Sequence, residues 1–334
     1  MPLMPCTRSG RSGWKWGESG HCYIGPDAKA NAARQGRAIQ AQQKHADARR
    51  RKLNVKALYP HRVEDQYNRW VLRRIRAMNK MVEQALIAEL RKLKPEIDER
   101  AKERGRRVDT EATTTNALMQ TLNTTKHRWG ANRASRVERK QLELFAKNVD
   151  SVATANMERQ VLSVLSIDAG FNHGPTAALH RRWVTENVKL IKTVDARYFA
   201  QLEAEIRQGV AEGRTTKYLT EQIQQRGHVS RTNATRIART EIGKLNSRIT
   251  QQRHEDVGIT QYAWRTVGDE RVRDEHAELE GTTHKWSEAP AEGHPGTPIQ
   301  CRCYPEPLIS GTVERAMIES VERFGVIDVK RMAA

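Results

Sequence analysis

The sequence predicts a mainly α protein: an elongated helical N-terminal and middle region, then a small, loop-rich α+β module at the C-terminus. Three observations carry that prediction. Apolar residues recur at three- and four-residue steps over long stretches before residue 250, the period of one face of a helix. Charged residues make up 29% of the 334 residues and apolar ones 37%, with 5% aromatic, which suits long polar helices better than one large globule. After Gly258 short alternating runs replace the helical period, separated by Gly, Pro and His.

The chain divides into three expected parts: a basic arm and helix over 1–55, an extended helical region over 56–230, and the α+β module over 231–334. Residues 1–27 are rich in Gly, Ser, Pro and Trp without usable periodicity, so they read as an irregular arm. Ala, Gln, Lys and Arg favour a helix from Ala28 to about Leu53. Tyr59-Pro60 breaks the chain. Leu72, Ile75, Met78, Val82, Leu86, Leu90, Leu93 and Ile97 then form one apolar stripe, with a kink or break expected near Pro95.

The polar segment 104–116 reads as a loop and a new helix start. Leu142, Phe145, Val149 and Val152 make a second stripe, continued loosely by Val161, Val164 and Leu165 and ended by Gly170 to Pro175. A further helical region runs from Trp183 past Ile206. The basic stretch 230–249 is an amphipathic helix with Ile237, Ile242, Leu245 and Ile249 buried, leading into a strand over ITQYAWRTV. HKWSE is a second short strand, loops follow through Pro307, and 314–324 is helical.

Net charge is +18, and 26 of the 58 lysines and arginines fall within residues 1–110 against 12 acidic residues there. That asymmetry points the N-terminal third either at a polyanion, with Arg49, Arg50, Arg51, Lys52, Arg73 and Arg74 as DNA-facing candidates, or simply at solvent. No run of 18 apolar residues exists to span a bilayer, and the N-terminus lacks a signal-peptide core. The chain is therefore expected to start in the cytosol with its four cysteines reduced unless metal-bound. A disulfide is disfavoured, and a Cys-x-Cys bridge would close a strained ring.

Candidate chemistry concentrates near the C-terminus. His276, His294, Cys301 and Cys303 have the donor types of a structural zinc site. The competing reading makes the thiols small buried apolar groups that pin a loop. In the N-terminal arm Cys6, His21 and Cys22 form an incomplete zinc set beside Trp14 and Trp16, so an assembly arm is preferred there. A metal-dependent nuclease or hydrolase using Asp269, Asp274 and His276 is the alternative function. No Gly-rich phosphate loop, HExxH pair or GxSxG elbow occurs.

The run Ala238-Arg239-Thr240-Glu241, Trp264, Asp269-Glu270-Arg271, His276, Gly281 and Cys301-Arg302-Cys303 resembles the Mu F-like phage head morphogenesis, or minor head, proteins. The likeness covers about residues 235 to 307, and YPHRVEDQYNRW and WVTENVKLIKTV are similar to the family's helical half. It implies a non-catalytic, low-copy head component that docks at the portal vertex and inner capsid during procapsid assembly. Implied partners are the portal, major capsid or scaffolding proteins and duplex phage DNA, with no membrane. Implied locations are the virion and, during assembly, the host cytoplasm. Relatives of this module also occur fused to toxin domains, and none is expected here. The family has no established catalytic residues, so Arg239, Glu241, Trp264, Asp269, Arg271, His276, Gly281, Cys301 and Cys303 are expected to be structural.

Overall fold

Helix accounts for 66% of the chain, so the fold is mainly α with small sheets, as the sequence predicts. The computed structural model describes residues 3–18, 21–33, 55–102, 109–131 and 135–332. Two units separate: residues 1–56 with 159–168, and residues 57–158 with 169–334.

The first unit overturns the expectation of an irregular, reduced arm. Strands β1 (Leu3–Arg8), β2 (Arg11–Trp16) and β3 (Tyr23–Ile24) form an antiparallel sheet in that order. The hairpin closes on Ser9 and Gly10, both at positive φ (51° and 77°), the handedness that matches strand twist. Cys6 and Cys22 are disulfide-bonded, with Cα atoms 5.9 Å apart. Register explains the pairing. Cys6 lies opposite Gly13, and because Gly13 has no side chain the Cys22 sulfur reaches over it. Neither thiol is then available to the incomplete zinc set of Cys6, His21 and Cys22, and His21 instead sits 3.0 Å from the Arg8 guanidinium. Residues 28–33 are helical, while the rest of the expected 28–53 helix lies outside the described residues.

In the second unit α1 (His61–Lys102) runs through Pro95 without the expected break. Proline removes one hydrogen bond to the preceding turn, but Leu90 and Ile97 on either side of it are both buried in the same apolar cluster. Burying each such side chain is worth about 1.5–3 kcal/mol, enough to carry the helix across the gap. The α1 stripe serves two cores. Val63, Tyr67, Val71 and Ile75 pack with residues of α3 (Ser135–Leu165), α4 (Ala177–Ala211) and α5 (Thr216–Asp256). Met78, Val82, Leu86 and Leu90 pack with α2 (Asp109–Ala131) and the far halves of α4 and α5.

At α5 the buried stripe is Ala234, Ala238, Ile242, Leu245 and Ile249, with Ile237 only half-buried. The Thr215 hydroxyl caps this helix by accepting from the Tyr218 N–H. No helix among the described residues is long and apolar enough to cross a membrane.

After α5 comes a three-stranded antiparallel sheet in the order β6–β5–β7, where β5 is Gln261–Arg265, β6 Thr283–Lys285 and β7 Tyr304–Pro307. The first two match expectation. The sequence reading placed β7 in a loop because of Pro305 and Pro307. It is an edge strand, where a nitrogen with no hydrogen to donate is tolerated. Between β5 and β6 lies a short helix, α6 (Asp274–Glu278). The expected last helix is α7 (Gly311–Phe324), capped by Ser310 and stopped by Gly325 at φ 72°. Then β8 (Val326–Asp328) pairs in parallel with β4 (Gly170–Asn172), and α8 (Val329–Met332) follows.

Candidate functional site

Helix α5 is the base of the C-terminal module. Arg239 leans across to α1, donating to Glu64 at 3.1 Å, and its carbonyl accepts from the Tyr59 hydroxyl at 3.2 Å. Glu241 turns toward α4: its carbonyl accepts from Trp183 at 3.1 Å and its carboxylate from Lys244 at 3.2 Å. One helical turn therefore fastens two neighbouring helices. Arg239 and Glu241 thus both make contacts within the protein.

The Cys-x-Cys loop seats on the same helix. The Gln300 N–H donates to the Thr240 hydroxyl at 3.2 Å. A Cβ on Gly243 would come within 3.0 Å of the Gly296 carbonyl oxygen, and one on Gly296, at φ 85°, within 3.2 Å of the Gly243 oxygen. Only glycine at both positions lets loop and helix backbones meet this closely.

Trp264, fully buried on β5, holds the other side. Its carbonyl accepts from the Gly281 N–H at 2.8 Å, and Gly281 takes φ 76° to turn from α6 toward β6. Its ring lies edge-on to His276, 5.3 Å between centroids. Asp269 grips Arg302 with two hydrogen bonds of 2.5 and 2.6 Å and accepts from the Arg271 N–H at 3.1 Å. The Arg302 guanidinium holds the Asp269 carboxyl below the usual range. The middle residue of Cys301-Arg302-Cys303 is thus tied to the Asp-x-Arg turn.

His276, Cys301 and Cys303 are all buried, and their ligand atoms lie within 4.8 Å of one another. Nδ1 of His276 is 3.5 Å from the Cys301 sulfur and 3.4 Å from that of Cys303. A tetrahedral zinc, with bonds of about 2.3 Å to sulfur and about 2.0 Å to nitrogen, sets neighbouring ligands about 3.5 Å apart. Both histidine–sulfur distances have that spacing, and the trio could hold a metal. The Cys301 thiol is pushed down by the hydrogen bond from Cys303, whose own thiol is pushed up by that bond and by burial. Burial, then Arg273, lowers the His276 pKa.

His294, expected in the same set, lies elsewhere. Its Nδ1 is 2.8 Å from the Tyr262 hydroxyl and its ring is 4.9 Å from Trp286. Trp286 in turn donates to His254 at 3.2 Å. Sequence reasoning missed this aromatic cluster, and also Arg273, Gly243 and Gly296. For Gly296 the signal was the Pro-Gly step of HPGTP, and for Gly243 the lone glycine inside a helical stripe. For Arg273 there was none.

Of the DNA-facing candidates, Arg49, Arg50, Arg51 and Lys52 lie outside the described residues, and Arg73 is exposed. Arg74 faces inward, correcting the expectation. It pairs with Asp195 at 2.8 and 2.6 Å and with Glu138 at 3.1 Å, with 9% of its side chain exposed.

Long packed helices bear a small α+β module whose Cys-x-Cys loop is seated on α5. Residues 200–305, from within α4 to β7, carry a domain matching the family described as Phage Mu protein F like protein. A Haemophilus influenzae protein described as uncharacterized is 38% identical over 124 residues, 37% of this chain. This chain spans only 28% of that relative's length. No solved structure matches.

Proposed function

We propose that this chain is a phage minor head protein: a non-catalytic component that joins the head during assembly in the host cytoplasm and remains in the virion. It would dock at the portal vertex or inner capsid beside portal, major capsid or scaffolding proteins. The Mu F-like domain carries this reading. Supporting it, Arg239 fastens the module to Glu64 of α1, and Asp269 is tied to Arg302 within the module. The alternative, a metal-dependent hydrolase, would have to draw on Glu292, whose carboxylate is 3.8 Å from His276, because among the described residues no aspartate or glutamate lines the cavity itself.

Duplex DNA is the second proposed partner. Arg69, Arg73, Arg76 and Lys80 are all exposed and recur at four-, three- and four-residue steps, so they form one cationic stripe along α1. Such a stripe binds phosphates without regard to sequence, and its affinity falls with salt at a log–log slope of about −0.9 per phosphate neutralised. A structural zinc on His276, Cys301 and Cys303 would pin the module, in keeping with the ligand spacing.

Mass spectrometry of gradient-purified procapsids and virions tests the reading. The protein is expected in both at low copy. Its absence from both, together with substrate turnover by the purified chain, would replace the head role with the hydrolase.

A further inference from the structure

Above the thiol pair lies a cavity of about 180 Å³, and four of its lining residues are arginines: Arg239, Arg271, Arg273 and Arg302. No aspartate or glutamate lines it. Three of the four guanidiniums are aimed by partners outside the lining or by the lining's own backbone. Glu64 holds Arg239, Asp269 holds Arg302, and the Ile299 carbonyl accepts from Arg273 at 3.1 Å. Glu64, Asp269 and Glu292, the last 3.8 Å from His276, set three carboxylates beside the four cations, a small positive excess. Arg271 is exposed at the rim. Gln300, on the same wall, takes φ 57°, unusual for a residue with a side chain, while Thr240 accepts its N–H.

We propose that this cavity binds a phosphate group, either free or at the end of a nucleic acid strand, between Arg239, Arg271, Arg273 and Arg302. A carboxylate offers two oxygens and one charge. Four arginines lining one cavity suit a tetrahedral anion better, one with more acceptor oxygens and nearly two charges at neutral pH, although the Arg302 fork is already engaged by Asp269. The volume equals that of about six waters at about 30 Å³ each, room for one anion with some hydration but not for a duplex. This site is separate from the exposed stripe on α1, which would meet the sides of DNA. It does not depend on the head role.

Titration calorimetry on the full chain, with inorganic phosphate at fixed ionic strength, tests the proposal. The expected result is saturable binding, displaced by sulfate and not by chloride. Arg271→Gln and Arg273→Gln should each weaken it about tenfold, the scale of one charge-assisted fork. Arg271 is the safer variant because Arg273 also holds the Ile299 carbonyl and His276, and circular dichroism checks that both variants fold. A short oligonucleotide with and without a 5′-phosphate separates the sources. If the strand end is the ligand, the phosphorylated form binds more tightly than inorganic phosphate, and if free phosphate is, the two bind alike. No saturable binding of either probe, or binding unchanged in both variants, overturns the assignment.

Discussion

Removing the Asp195 carboxylate should destabilise the helical unit more than any surface charge change. Arg74 and Asp195 have 9% and 8% of their side chains exposed and make two hydrogen bonds of 2.8 and 2.6 Å. The Trp129 indole N–H donates to the same carboxylate at 3.1 Å, and the Arg74 guanidinium lies 5.2 Å from its ring. Asp195→Ala strands a desolvated cation and leaves the indole without its acceptor. Breaking a buried pair from one side costs about 3–5 kcal/mol. Glu138 remains beside Arg74 at 3.1 Å, so the lower end, about 3 kcal/mol, is expected here. Replacing both partners, Arg74→Met with Asp195→Leu, should recover most of the loss, because the desolvated guanidinium goes with its partner and Glu138, which loses Arg74, is 20% exposed. Urea unfolding followed by circular dichroism measures both variants. A loss below about 1 kcal/mol for Asp195→Ala, or a double variant as unstable as the single one, would refute the reasoning. The same variants bear on DNA: Arg74→Met should leave salt-dependent binding unchanged, whereas Arg73→Gln should reduce the salt slope by about one phosphate's worth.

Gly243→Ala places a methyl 3.0 Å from the Gly296 carbonyl oxygen, so the loop must lift. A loss of about 1–3 kcal/mol in thermal unfolding is expected, with faster labelling of the buried Cys301 and Cys303 by a thiol reagent. Burial pushes the pKa of His254 down to about 3 from an ordinary 6.5. The unfolded chain therefore takes up a proton that the folded protein refuses. Stability from this group is complete above about pH 6.5 and declines as pH falls toward 3, and His254→Gln should flatten that decline in urea midpoints. If zinc pins the module, metal analysis of purified protein finds it in stoichiometric amount. Cys301→Ser and chelation of the wild type then lower the melting temperature alike.

The helices were legible because a three-four apolar period survives any tertiary arrangement: Ile75, Met78, Val82, Leu86 and Leu90 are buried as the stripe predicts. Strand β5 was legible from alternation around Trp264. Strand β7 was hidden by its prolines, whose tolerance depends on lying at a sheet edge, a property no local window contains. The first sheet was hidden by short strands and glycines. Its Ser-Gly hairpin turn was the one local clue. At the site, residue types identified His276, Cys301 and Cys303, but could not separate His294 from them.

By itself the sequence determined the helical class, the basic imbalance and the family signature, because periodicity, charge and motif order are properties of the chain. Tertiary structure decided where each signature residue points. Arg74 turned inward to Asp195, Cys6 found Cys22 across a glycine, and four arginines separated by up to 63 positions came to line one cavity. Those outcomes depend on pairing and burial between distant segments, which spacing along the chain does not encode.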